Sequence, residues 1–265
     1  MFTLRTSRCW FWCAIVCTLL KIWLTRGQAV FAIGPASIDD RLFLRLGNAI
    51  LNGEWLGAYD NLTLVKGPFY PLWVAGVSAM GVPLRLAEQL AYAGACALLI
   101  HAIAPVLRPL WARTSLYLLL LWNPMTYEMP TLGRVLRQNI YTPLAIVIFA
   151  ALIALYARRD ASWKRLLPWA CTLGLSLSAF WLTREESIWI APSVLVLMGA
   201  ALWGAWCSGR GTQLRIMLTA FGTSALLTLI PILTVCTLNA HYYKWFGTVE
   251  YRATEFHSAY GALLR

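Results

Sequence analysis

Two adjacent carboxylates, Asp39 and Asp40, follow the first apolar stretch of the chain and are the residues best suited to chemistry. A carboxylate pair in this position could take the proton from an incoming hydroxyl group or anchor a cation. Asp is also a preferred N-cap residue, and an amphipathic segment begins directly afterwards at residue 41. The two roles are compatible, since one Asp could cap the helix while the other acts as a base.

Basic residues that could hold a phosphate group stand in two later segments. Arg134 and Arg137 lie three residues apart in GRVLRQN and would share one face of a helix. Arg184 lies in the short turn LTREES beside Glu185 and Glu186. Arginine binds phosphate through charge-assisted, often bidentate hydrogen bonds. The alternatives are headgroup anchoring for the first two residues and an internal Arg–Glu pair for the third.

The stretch KGPFYP at residues 66–71 predicts a rigid aromatic corner. This corner, with Lys66 and Tyr70, could lie beside a sugar or a lipid headgroup, or Lys66 could anchor the loop at the membrane interface. Glu128, Glu185 and Glu186 are further acids that could support such a site. The pattern predicts no metal site and no cofactor, and the chain contains no Gly-rich phosphate loop, HExxH or GxSxG motif.

The composition identifies the elements that must position these residues. The chain has 265 residues, of which 60% are hydrophobic and 12% charged, and its mean hydropathy is +0.63. Soluble domains carry about 25% charged residues. Apolar segments of membrane-spanning length recur along the chain, so we predict an all-α, polytopic membrane helical bundle. The formal charge of +11 does not indicate nucleic acid as a partner, because the basic residues lie in short loops between apolar segments.

The loop charges predict about seven spans. On one side, ten basic residues face the single acid Asp160, and every other acid is assigned to the opposite side. The positive-inside rule then places the N-terminus in the cytoplasm and residues 25–85 in a long outer loop. Lys21, near the outer end of the first span, is expected to snorkel to the interface. The predicted spans are 9–24, 86–107, 114–125, 140–157, 166–182, 187–206 and 216–238.

Within the outer loop, residues 41–53 predict a short amphipathic helix lying at the membrane interface. Residues 72–82 are apolar but short, and we expect them to touch the membrane without crossing it. The whole chain, residues 1–265, is then a single transmembrane domain with its catalytic loop at 25–85. A longer parent protein with a further C-terminal part is an open alternative.

The order of these features resembles the GT-C class of membrane glycosyltransferases. That class includes protein O-mannosyltransferases, lipid A aminoarabinose transferases and the catalytic subunits of oligosaccharyltransferase. Its members share a first span followed by a long outer loop with an acidic motif and interfacial helices. The matching stretches are Asp39-Asp40 with RLFLRLGNAILNGEW, then VKGPFYPLW, the basic turn RPLWAR, Asn123-Pro124, and TREESIWIAPSVL.

The resemblance implies an inverting transfer of a sugar from a polyprenyl-phosphate donor to an envelope lipid, glycan or protein acceptor. The reaction would take place on the outer face of a bacterial inner membrane, among membrane lipids. Asp39 would be the base, with Asp40 as the alternative. The donor phosphate would be bound by residues from Lys66, Arg134, Arg137 and Arg184. The chain departs from the family pattern in two ways. Its acidic motif is Asp-Asp, whereas the nearest branches often have Asp-Glu. Its second outer loop has Glu128 and two Arg in place of a metal-binding acidic motif.

Two other functions would use the same residues. A transporter or flippase for a lipid-linked sugar would bind its cargo through Asp and Arg groups without chemistry, and it predicts site-like charges on both membrane faces. A non-catalytic membrane assembly protein predicts that Asp39 and Asp40 tolerate replacement by Asn.

Overall fold

A computed structural model describes residues 2–33, 39–126, 133–209 and 211–263. Over these residues the protein is built from helices, and the sole β pairing is an isolated parallel bridge between Phe31 and Arg134. The all-α prediction is therefore confirmed. The α-helices are α1 Phe2–Thr25, α2 Asp40–Leu51, α3 Phe69–Ala79, α4 Leu84–Ile103, α5 Leu110–Leu121, α6 Gln138–Ala157, α7 Trp163–Trp181, α8 Ala191–Cys207, α9 Gly211–Tyr243 and α10 Thr254–Leu263.

Five helical segments in the described chain are long and apolar enough to cross a membrane: Arg8–Thr25, Leu84–Ile103, Gln138–Ala157, Glu185–Cys207 and Gly211–Tyr243. Such segments are compatible with an integral membrane protein, as the composition predicts. Helix α5 is apolar but has only 12 residues, and α7, with 19 residues, is not among the five. The number of seven spans therefore stays a prediction.

One end of the bundle is held together by Arg and Gln side chains that bind the ends of other helices. Arg158, after α6, donates hydrogen bonds to the carbonyls of Ala102 and His101 at 2.7 and 2.8 Å. Gln213, in α9, donates to the carbonyl of Ala161, just ahead of α7, at 3.1 Å. We call this the basic end, because these cations lie in or beside its helix ends: Arg108, Arg158, Arg159, Lys164, Arg165 and Arg215.

The opposite end carries the predicted site residues, and we call it the site end. There the Phe69 N–H donates to the Leu182 carbonyl at 3.1 Å, and Trp55 Nε1 donates to Asn239 Oδ1 at 2.9 Å. Helices α4, α6 and α8 therefore run from the site end to the basic end. Helices α1, α5, α7 and α9 run in the opposite direction, so neighbouring long helices in the chain alternate in direction.

Prolines move two of the predicted span boundaries. The second span was expected to end at residue 107, but α4 ends at Ile103. The third was expected at 114–125, but α5 begins after Pro109 and ends at Leu121. Pro favours the first positions of a helix, whereas inside a helix it lacks the N–H that continues the hydrogen-bond ladder. Pro105 and Pro124 follow α4 and α5 closely, and each helix ends before reaching its Pro.

The amphipathic helix predicted at 41–53 is confirmed as α2, but its apolar face packs against protein. Leu42, Phe43 and Leu46 are at most 1% exposed. Leu42 and Leu46 pack with the following loop, whereas Phe43 packs against α3 and α6. The hydrophobic periodicity of this helix is therefore accounted for by packing within the protein. Helix α3 follows, and its 11 residues span about 16 Å, too short to cross a membrane.

At Gly67, the loop between α2 and α3 contacts the end of α7. A Cβ atom added at Gly67 would lie 2.1 Å from the Leu182 carbonyl oxygen and 3.2 Å from the Thr183 carbonyl carbon. The backbone here approaches so closely that only glycine fits. The neighbouring Phe69 N–H completes the contact with Leu182.

We predict that Gly67→Ala lowers the free energy of unfolding by about 2 kcal/mol or more, because the backbone of the loop must move away from α7. The matched control is Gly76→Ala in α3, where an added Cβ meets nothing within 4 Å. Thermal unfolding of both variants in detergent measures the difference. Equal midpoints for the two variants would contradict the close packing at Gly67.

Candidate functional site

The two adjacent carboxylates have different surroundings. Asp40 is fully buried, and its Oδ2 accepts hydrogen bonds from the Ile33 N–H at 2.9 Å and from Arg134 Nε at 3.1 Å. The side chain of Asp39 is 42% exposed, and its Oδ1 lies 3.7 Å from Lys66 Nζ. Only Asp39 therefore offers a carboxylate that a solute could reach, while Asp40 holds the protein around it.

One of the two Asp residues stands at the N-cap of α2, as predicted, but its side chain does not cap the helix. Asp39 occupies the N-cap of α2, but its carboxylate makes no capping hydrogen bond. Its backbone carbonyl accepts a hydrogen bond from the Phe43 N–H at 3.0 Å. The carboxylate is therefore not used to satisfy the helix terminus and faces Lys66 instead.

Arg134 is positioned by backbone contacts on both sides. The Phe31 N–H donates to the Gly133 carbonyl at 2.7 Å, which forms the bridge that fixes this segment. The Arg134 carbonyl accepts a hydrogen bond from Asn139 Nδ2 at 3.0 Å. Its guanidinium binds Asp40 through Nε, and the side chain remains 24% exposed. The Arg134 side chain is therefore held by Asp40 but remains partly accessible.

Arg137 forms a buried ion pair with Glu185. Its Nη1 lies 2.8 Å from both carboxylate oxygens and 3.1 Å from the Thr183 carbonyl, and the two side chains are 9% and 8% exposed. The guanidinium also lies 5.8 Å from the centre of the Phe43 ring. The pair joins the start of α6 to the segment after α7. This geometry favours a structural role for Arg137 over the predicted phosphate contact.

Arg184 and Glu186 form a more exposed pair. Arg184 Nε lies 3.3 Å from Glu186 Oε2, with side-chain exposures of 31% and 52%. The Arg184 guanidinium also lies 5.2 Å from the centre of the Tyr141 ring. Arg252 donates to the Arg184 carbonyl at 2.7 Å and so fixes the backbone of this turn. The internal Arg–Glu pair considered for Arg184 is present, and the Arg184 side chain stays accessible beside it.

Tyr70 lies behind the site. It is fully buried, packs edge-on against Phe43 with ring centroids 5.0 Å apart, and donates to Glu88 Oε1 at 3.0 Å. Burial, followed by the Glu88 carboxylate, raises the pKa of the Tyr70 hydroxyl well above its usual value. The hydroxyl therefore stays protonated as a donor. The expectation that Tyr70 contacts a sugar or headgroup directly is wrong, because its side chain is fully buried. Glu128 lies outside the described residues.

The structure brings residues from four separate stretches of sequence to one corner of the site end. Asp39 meets Lys66, and the adjoining Gly67 packs on Leu182 and Thr183. Arg137 binds the Thr183 carbonyl from the other side. The carboxylates, the aromatic corner, the start of α6 and the turn after α7 are therefore joined by direct contacts.

A buried polar network beneath this corner was missed by the sequence analysis. Glu88 was assigned to the outer side, but it lies in α4 and is only 2% exposed, so that assignment is wrong. Its Oε2 accepts from Asn139 Nδ2 at 2.9 Å. Arg85, one turn earlier, donates to Gln28 Oε1 and to the Thr126 carbonyl at 3.1 and 3.2 Å. An ionisable pair three residues apart inside an apolar segment was the available signal.

Lys21 also belongs to this interior, and its predicted snorkelling is wrong. The side chain is 1% exposed, and its ammonium group donates to the Leu121 carbonyl and to Thr126 Oγ1. The ammonium also lies 4.7 Å from the centre of the Tyr92 ring. Arg85 and Lys21 therefore converge on Thr126. A cavity of about 260 Å³ is lined by Arg85, Glu88, Gln89, Tyr92, Thr126 and Asn139, among others.

An apolar groove of about 860 Å³ runs down from the same corner. Phe69 and Leu182, which are hydrogen-bonded through their backbones beside Gly67, form part of its wall. The remaining wall comes mainly from α6, α7 and α9, and includes Leu144, Leu175, Ile230 and Val235. Lys66 stands three residues before Phe69, so Lys66 and the Asp39 carboxylate beside it lie near a groove that could take a hydrocarbon chain.

Comparisons with models of known protein families, with curated proteins and with solved structures find no match to this chain. The arrangement of the site residues therefore carries the functional argument.

We predict that Arg137→Met destabilises the protein by about 3–5 kcal/mol, because it leaves the Glu185 carboxylate buried without its cation. The double variant Arg137→Met/Glu185→Met removes both charges and should recover much of that loss. Denaturant or thermal unfolding in detergent, analysed as a double-mutant cycle, measures the coupling.

The control pair is Arg45 with Asp60, which has side-chain exposures of 45% and 39%. The same cycle on this pair should give a coupling of about 1 kcal/mol or less. Coupling energies of the same size for the two pairs would contradict the structural role of Arg137 and would return it to the candidate phosphate ligands.

Proposed function

We propose that this protein is a membrane glycosyltransferase of GT-C-like architecture, with about seven spans and with its site end on the outer face of a bacterial inner membrane. It transfers a sugar from a polyprenyl-phosphate donor to an envelope acceptor. The observation that carries the proposal is the accessible Asp39 carboxylate, 3.7 Å from Lys66, which stands three residues before Phe69 in the wall of an apolar groove. The transfer requires a base for the acceptor hydroxyl, a cation for the donor phosphate and a groove for the polyprenyl chain.

Asp39 acts as the general base. As the acceptor hydroxyl attacks the anomeric carbon of the sugar, Asp39 takes the hydroxyl proton, and the bond from that carbon to the phosphate oxygen breaks. Polyprenyl phosphate leaves with the bonding electrons. A base within hydrogen-bond reach of the attacking hydroxyl contributes about 10²–10⁴-fold to rate.

Lys66 and Arg134 bind the donor phosphate, where negative charge develops on the leaving group. Positioned cations in a site that excludes water stabilise such a transition state more strongly than they do in bulk water. Arg184 is a further accessible cation at the same end. Asp40 is a positioning residue, because it touches Arg134 and not the reacting atoms.

A carrier or flippase for a lipid-linked sugar is the second candidate, and the buried ionisable network around Glu88 and Arg85 favours it. Charged residues inside a membrane segment commonly mark a pathway for polar cargo. Under this function the same groove and cations bind the donor, but no bond is broken. Turnover separates the two candidates.

We predict that purified wild-type protein, supplied with polyprenyl-phosphate sugars in membranes, transfers the sugar, and that Asp39→Asn lowers kcat by about 10²-fold or more with donor binding kept. Asp40→Asn should instead weaken donor binding, because Arg134 loses its partner, and should raise KM more than it lowers kcat. Asp60→Asn, an exposed carboxylate in the same loop, is the control and should keep both constants.

Full activity in Asp39→Asn, with correct folding verified by its unfolding midpoint, would remove Asp39 as the base. Donor binding without turnover in the wild type would favour the carrier function. Neither binding nor turnover with any polyprenyl-phosphate sugar would refute both candidates.

A further inference from the structure

We propose that the basic end carries a binding site for one anionic glycerophospholipid, in a groove between α1, α4 and α5. The groove has a volume of about 390 Å³ and lies away from the candidate active site. Its walls are almost entirely apolar, with Phe11, Ala14 and Ile15 from α1, Ala97 and Ile100 from α4, and Leu110 from α5. Such a surface suits an acyl chain.

Arg113 supplies the polar element of the groove. Its Nε is buried and has no hydrogen-bond partner, and its guanidinium makes no hydrogen bond to any other residue that the structure describes. A buried donor without an acceptor is costly, so the site is completed by a group that brings acceptor oxygens. The planar guanidinium matches the oxygens of a phosphate group.

The register of α1 and α5 brings further cations to the mouth of the groove. Thr18 and Tyr117 share a hydrogen bond of 2.7 Å between residues 99 positions apart. Lys21 and Leu121, 100 positions apart, repeat the pairing one turn later. The two helices therefore run parallel, and Leu110, the first residue of α5, lies level with residues 10–11 of α1.

Arg113 therefore lies toward the basic end of the groove, and Arg8 in α1 and Arg108 just before α5 add two cations beyond it toward the same end. No acidic residue lies in α1, in α5 or between 89 and 122. A mouth with cations and no neighbouring acid attracts an anionic headgroup over a zwitterionic one.

The groove is no longer than one membrane leaflet. The α1 residues that line it run from Phe11 to Leu19, a rise of eight residues or about 12 Å. Half of a hydrocarbon core of about 30 Å is about 15 Å. The groove therefore takes the part of an acyl chain nearest the headgroup, within the depth of one leaflet.

The test is native mass spectrometry of the full chain in detergent, titrated with phosphatidylglycerol or phosphatidylcholine of equal chain length. Wild type should bind one phosphatidylglycerol at least tenfold more tightly than phosphatidylcholine. Arg113→Gln should abolish that preference, and Arg113→Lys should keep part of it. Ala97→Phe, which fills the groove from an exposed position and changes no charge, should also abolish binding.

Arg165→Gln is the matched control, since it removes one exposed cation from the basic end outside the groove. It should leave phosphatidylglycerol binding within twofold of wild type. Equal losses in Arg165→Gln and Arg113→Gln would reduce the effect to general surface charge and overturn the proposal. Undiminished binding in Ala97→Phe, competition by free glycerol phosphate, or a lipid-free dimer that buries the groove would also overturn it.

Discussion

The buried carboxylate of Asp40 is the constraint around which the site end is arranged. A buried charge is tolerated only when it is paired and hydrogen-bonded, so three separate segments must converge on it. The Ile33 N–H, the first turn of α2 and Arg134 meet at this one side chain. Its second oxygen has no partner among the described residues, so the group is only partly satisfied. That cost favours positional specificity over added stability as the reason for the pair.

The remaining charges of the site end fall into two kinds of pair. Arg137 and Glu185 are almost fully buried and join α6 to the segment after α7. Asp39 with Lys66, and Arg184 with Glu186, are partly exposed and hold their backbones less firmly. The buried pairs fix the geometry, and the exposed pairs remain available to a solute. The same residue types therefore serve as scaffold at one position and as accessible surface at the next.

Much of the fold could be predicted because hydropathy, proline and charge act locally. Each predicted apolar segment corresponds to a helix, and α2 was visible in its periodicity. The division of labour between Asp39 and Asp40 could not be predicted, because it depends on Arg134, which is 94 positions away. Tyr70 was misassigned for the same reason, since an aromatic corner looks alike whether it faces a ligand or Glu88.

Helix α5 has only 12 residues, about 18 Å, whereas α4 and α6 have 20 residues each. Its last carbonyls are consequently freed at a depth where neighbouring helices are still fully wound. Tyr92 donates to the Leu120 carbonyl at 2.7 Å, and Lys21 donates to the Leu121 carbonyl. These side chains supply the hydrogen bonds that water would otherwise donate to the end of the helix. Because Lys21, Tyr92 and Leu121 are buried, the end of α5 is satisfied inside the protein, and α5 can be shorter than its neighbours without exposing unpaired carbonyls to lipid.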